Sequence, residues 1–122
     1  MATKKYYIDL DVRGSIDVKT VQLNSNETDI TTNLLVVVAA VPFAAFDAMI
    51  VDYVIKQGTT NLRAGTVHAV HNSSIIEFVD TSTHDIGDTS TILFDMRFNG
   101  SDLELTLEHA DGYYVNTFIR CI

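Results

Sequence analysis

The chain has 122 residues, with 8 basic and 16 acidic side chains, a net charge of −8 and a hydrophobic share of 47%. That size and composition describe one folded domain spanning 1–122 and exclude a disordered chain. The excess of negative charge, with the Lys and Arg scattered, excludes the clustered basic surface that nucleic acid requires.

The chain opens on Lys4 and Lys5 followed by Tyr6-Tyr7-Ile8-Asp9, so no basic-then-apolar leader is expected. Ile8, Leu10 and Val12 alternate with Asp9 and Asp11, the pattern of a half-buried strand. Gly14 and Ser15 turn the chain, and Ile16 and Val18 resume the alternation. Val21 and Leu23 continue on the opposite parity, which predicts a bulge near Lys19-Thr20. Positions 24–32 are polar and rich in Asn, Ser and Thr, and they read as a loop. The valine-rich run at 34–41, closed by Pro42, reads as a central strand buried on both faces. It belongs to an apolar stretch that Pro42 interrupts and that is too short to span a bilayer, so no membrane partner is expected.

In 48–57, Met49, Val51, Tyr53 and Ile55 share one face, with Ala48, Ile50, Asp52, Val54 and Lys56 on the other. A turn at 58–61 precedes a strand over 62–71 that Gly65 interrupts, and a short strand follows at 75–79. A glycine inside a strand marks a bulge or the close approach of a neighbour. Arg63, two positions earlier, is expected to pair with Asp52 on the preceding strand. Positions 80–90 are polar and read as an exposed loop. A strand over 92–98, an Asn99-Gly100 hairpin turn, a strand over 103–107, a turn at 110–112 and a last strand over 113–122 complete the chain. About eight short strands without an amphipathic helix predict an all-β fold, an antiparallel, jelly-roll-like β-sandwich. Its expected core includes Ile8, Leu10, Val36, Val38, Val51, Tyr53, Ile92, Phe94, Met96, Leu103, Leu105 and Phe118.

No catalytic residue, cofactor or metal site is expected. His68 and His71 lie on opposite faces of a regular strand, so they do not converge on one zinc ion. Asp80, Asp85 and Asp88 crowd one segment. They read either as a cation loop without EF-hand spacing or as a solvated turn. Cys121 is the single cysteine, which excludes an internal disulfide, and in an apolar strand a buried thiol is inert. No nucleophile elbow or phosphate loop is present. Tyr113 and Tyr114 open the last strand, and one of them would face outward, read either as a strand-edge tyrosine packed over the sandwich or as an aromatic platform for sugar.

The stretch Val51-Asp52-Tyr53-Val54-Ile55 followed by Arg63-Ala64-Gly65-Thr66-Val67 resembles a recurrent pattern of bacteriophage and prophage virion proteins. In that pattern a strand ending in Asp-Tyr precedes an Arg-x-Gly-Thr strand. An Asp/Thr-rich loop, an alternating strand, a Gly turn and a final strand pair follow, matched here by 80–90, 92–98, Asn99-Gly100 and 103–107. The resemblance implies a non-enzymatic β-sandwich of a tail fibre, tail tip, baseplate or head appendage. It implies a location in the virion and a homo-oligomer, a trimer by preference, in contact with other virion proteins. It marks Asp52, Tyr53, Arg63, Gly65 and Thr66 as a structural motif. In a fibre or tip, the segments 24–33 and 80–90, with Asp80, Asp85, Asp88, Tyr113 and Tyr114, would meet a partner or a host-surface glycan. The alternative is a carbohydrate-binding β-sandwich module with Tyr113 and Tyr114 as its platform. A metal-dependent hydrolase is a third class, distinguishable by stoichiometric zinc.

Overall fold

The computed structural model describes residues 13–122, so the strand expected at 8–12, with Ile8 and Leu10, lies outside the described residues. Among these residues there are nine strands and no helix. They are β1 (Ile16–Val18), β2 (Val21–Asp29), β3 (Val36–Pro42), β4 (Ala48–Gln57), β5 (Asn61–His71), β6 (Ile76–Ser82), β7 (Phe94–Asn99), β8 (Asp102–Leu107) and β9 (Tyr114–Cys121). A six-stranded sheet runs β1-β2-β9-β4-β5-β6, and a three-stranded sheet runs β3-β8-β7. Every pairing is antiparallel. The early strands β2 and β3 pair with the late strands β9 and β8, the nested order that gives a jelly-roll-like sandwich.

Alternation builds the core. Met49, Val51, Tyr53 and Ile55 of β4 point to the second sheet, with Val115 and Ile119 of β9 and Val67 and Ala69 of β5 beside them. Facing them are Val38, Ala39 and Val41 of β3, Phe94 and Met96 of β7, and Leu103, Leu105 and Leu107 of β8. Ile92 is buried as expected, but it sits before β7 rather than within it. Cys121 is fully buried on the same face, and burial pushes its thiol up to about 11. His71 closes one end of the core. Its Nδ1 accepts from Ser73 N–H at 3.0 Å, which leaves Nε2 to donate to Phe46 O at 2.5 Å.

Four local expectations are corrected. The parity change at Lys19-Thr20 is a two-residue hairpin, with Val18 paired to Val21 and Lys19 at φ 54°. A reversal of direction reassigns faces just as an inserted residue does. Positions 24–29 form most of β2, because β9 supplies hydrogen-bond partners from Gln22–Cys121 to Asp29–Tyr114. Neighbouring strands override the turn preference of short polar side chains. The run at 34–41 is an edge strand, β3, with exposed Leu34 and Leu35 before it. A register shift between Val37 and Ala39 lets both Val38 and Ala39 point inward. Phe118 faces outward and is 43% exposed, because it shares its row with Asp52 and Ser25 rather than with Val51.

Candidate functional site

Sheet register sorts the motif residues onto two faces. Tyr53 pairs with Gly65 and Ile55 with Arg63, so Tyr53, Arg63 and Gly65 point inward. Asp52 pairs with Thr66, and both point outward. This parity overturns the expected Arg63–Asp52 pair. Asp52 instead accepts a hydrogen bond from the Thr66 hydroxyl at 2.8 Å and lies 3.7 Å from Arg120 Nη2.

On the inner face, the missing side chain of Gly65 makes room for the Tyr53 ring. A Cβ at position 65 would lie 2.6 Å from the Tyr53 hydroxyl oxygen and 2.5 Å from the Thr81 carbonyl oxygen. The ring therefore crosses β5 at Gly65, and its hydroxyl donates to Asp80 Oδ1 at 2.8 Å. The glycine expectation resolves here as a close approach, not as a bulge. Arg63 lies over the Tyr53 ring, 5.9 Å from its centroid, with Nη2 3.9 Å from Asp80 Oδ2. The same guanidinium donates to Thr89 Oγ1 at 3.3 Å, to Thr89 O at 3.5 Å and to Ile92 O at 3.2 Å.

These bonds tie 80–92 to the sandwich, so the segment is not the free loop that its polarity predicts. Asp80 belongs to β6, Ile86 forms a two-way bridge to Leu62, and Thr89 is fully buried. Asp85 accepts from the Thr89 hydroxyl at 2.6 Å and from Thr89 N–H at 2.9 Å, which hold its carboxyl below the usual range. Bonds from Ser90 do the same for Asp88. The three carboxylates thus turn to three different local donors instead of to one point. Tyr113 is buried and donates from its hydroxyl to Asp88 O at 3.3 Å, and burial raises its ionisation. Tyr114 is half-buried, with Lys56 Nζ 5.3 Å from its ring centroid. Thr89 was not singled out by sequence. The signal for it was Arg63 itself, a cation at an inward strand position that must find oxygen partners.

Burial and the Asp80 bond push the Tyr53 phenol up to about 12, against the opposing pull of Arg63. An unfolded tyrosine ionises near 10. The folded state therefore keeps the full Tyr53 contribution below about pH 10 and loses it progressively as pH rises toward about 12. A phenolate absorbance titration is expected to show a late-ionising tyrosine coincident with alkaline unfolding. Tyr53→Phe removes that late component. A native Tyr53 titrating near 10 would contradict the buried bond.

The outer face of the six-stranded sheet is different in kind. It exposes Val54, Val70, Val79 and Phe118, with half-buried Ile50 among them. A shallow trough of about 490 Å³ runs across β4, β5 and β6 between Ile50, His68, Val70 and Val79. Among the described residues, no group of three or more His, Cys, Asp or Glu side chains is placed to hold a metal ion.

No family model matches the chain, and no curated protein matches it. Among solved structures it is similar to the tailspike protein of the Acinetobacter phage vB_ApiP_P1, with a TM-score of 0.43 and 13% identity. The match covers 96% of this chain and 24% of the tailspike chain, so this chain spans about a quarter of that protein.

Proposed function

We propose that the chain is a non-enzymatic structural subunit of a bacteriophage virion, a small sandwich that associates with copies of itself and with other virion proteins. Its place would be a tail fibre, a tail tip or a head appendage. The observation that carries this reading is the apolar outer face of the large sheet. Val54, Val70, Val79 and Phe118 stay exposed there although the sandwich already has a closed core. Exposed apolar side chains gathered on one face, here in two sets on either side of Thr66 and the Asp52–Arg120 ion pair, mark an interaction site. The likeness of the Asp52-Tyr53 and Arg63-x-Gly65-Thr66 strands to virion modules points the same way. The inward members of that pattern, Tyr53, Arg63 and Asp80, are engaged with one another and with Thr89, which suits a structural motif. The carbohydrate-module alternative has less support, since Tyr113 lies inside the fold and presents no outer platform.

Light scattering of the purified chain is expected to give a multiple of its 13.5 kDa mass at tens of micromolar. Antibody against the chain is expected to label phage particles in electron micrographs. A strictly monomeric chain together with unlabelled particles would overturn the reading.

A further inference from the structure

One edge of the large sheet offers a junction for the self-association just proposed, on which its use rests. β6 is a seven-residue edge strand paired on one side only, to β5, in an unshifted register from Gly65–Ser82 to His71–Ile76. Hydrogen bonds from Asn72 N to Ile75 O and from Thr83 N to Ala64 O bracket this ladder. Bonded and non-bonded pairs alternate in an antiparallel ladder. Thr66–Thr81, His68–Val79 and Val70–Glu77 are therefore the bonded pairs. The N–H and C=O groups of Ile76, Phe78, Asp80 and Ser82 point away from β5, and they have no backbone partner among the described residues.

Natural edges are blunted by Pro, Lys, bulges or brevity. Each of the other edges shows such a device. β1 has three residues, β3 carries Pro42 and a register shift, and on β7 the Asp95 carboxylate caps Met96 N–H at 2.8 Å. β6 has no Pro, Lys or register shift; Tyr53 and Arg63 hold the charge of Asp80 against the sandwich, and the exposed charge of Glu77 stands on the outer face at a residue whose N–H and C=O turn to β5.

We infer that β6 pairs antiparallel with β6 of a second copy across a two-fold axis at Val79, joining two six-stranded sheets into one. The strand is self-complementary in that register alone. Outward-pointing groups must meet outward-pointing groups, which restricts the axis to a residue position. An axis at Val79 pairs all seven residues, with Phe78 opposite Asp80, Ile76 opposite Ser82 and Glu77 opposite Thr81. An axis at Asp80 would set two carboxylates opposite each other, and one at Phe78 would leave Thr81 and Ser82 unpaired. At the Val79 axis the two Val79 residues form a non-bonded pair, with Cα atoms about 4.5 Å apart. Their side chains lie on the outer face and join the troughs beside Ile50, His68 and Val70 of both copies.

This junction makes even-numbered assemblies, whereas the sequence resemblance implies trimers. Light scattering of the full chain is expected to give twice 13.5 kDa. Val79→Lys and Val79→Glu each place like charges across the axis, and each is expected to halve the mass with an unchanged far-ultraviolet spectrum. Mixing the two variants in equal amounts is expected to restore the double mass, because position 79 faces itself. Phe78→Pro, which removes an outward N–H and no bond to β5, is expected to give the monomer. Val54→Lys, on the outer face away from this edge, is expected to leave the dimer intact. Three outcomes overturn the edge junction and leave self-association standing: an oligomer that survives Val79→Lys and Phe78→Pro, one that Val54→Lys dissolves instead, or Lys and Glu variants that do not recombine. A wild-type chain that is monomeric at tens of micromolar overturns both.

Discussion

Gly65→Ala is expected to lower stability by about 3 kcal/mol, through overpacking of a filled site and loss of a buried hydrogen bond. The methyl group would meet the Thr81 carbonyl oxygen at 2.5 Å and the Tyr53 hydroxyl oxygen at 2.6 Å. Backbone on one side and a packed ring on the other leave it nowhere to go. Relief requires either moving β6 away from β5 or swinging Tyr53 off Asp80, whose bond to the ring hydroxyl is 2.8 Å. For a domain of this size the corresponding fall in melting temperature is about 10 °C. Thermal melts followed by circular dichroism would measure it, with Ala64→Ser on the outward row as a near-neutral control. A melting temperature within a degree or two of wild type would show that the ring does not depend on the glycine.

Arg63→Ala is expected to cost a similar amount, about 3 kcal/mol, since it takes the cation from Asp80, which keeps only its bond from Tyr53, and leaves three oxygen acceptors without their donor. Its guanidinium spans Asp80, both Thr89 oxygens and Ile92 O, with only 11% of its side chain exposed. Arg63→Lys is not expected to restore the loss, because one ammonium cannot reach acceptors that lie in several directions. The local effect is the more diagnostic one. Amides at 83–92 should exchange much faster in Arg63→Ala, first at Ile92, whose N–H is bonded to Thr89 O at 3.0 Å. Unchanged protection of this segment would mean that the Leu62–Ile86 bridge and the Asp85–Thr89 bonds hold it unaided.

Period-two alternation made the sandwich legible: 48–57, 92–98 and 103–107 read as strands with the inward rows that the fold adopts, and Ile92 is inward though outside β7. Gly65 reads from sequence as either a bulge or a close approach, and only the position of the Tyr53 ring decides for the second. The failures share a cause. Residues 24–29 look like loop taken alone, and only the arrival of β9, far along the chain, makes them a strand. Nearness in sequence matches Arg63 to Asp52, whereas the hairpin register sets the two on opposite faces and gives Arg63 to Asp80. Phe118 reads as core because it is large and apolar, but its row belongs to the outer face. Local pattern carries which residues extend. It does not carry which distant strand they meet, and the inward side of a polar residue depends on that strand.

The central position of β9 sets the order in which the molecule can be made. β9 lies between β2 and β4, joining Gln22 to Cys121 on one side and Met49 to the same Cys121 on the other. Until it docks, β2 and β4 each present a bare ladder, and closing a loop of that length carries a large entropic toll before any contact rewards it. The β4–β5 and β7–β8 hairpins are local and are free to form early, while the step that completes the large sheet is expected last, on the scale of about milliseconds to seconds. During that interval the waiting strands are open to the wrong partner, so yield on refolding should fall as the chain becomes more concentrated.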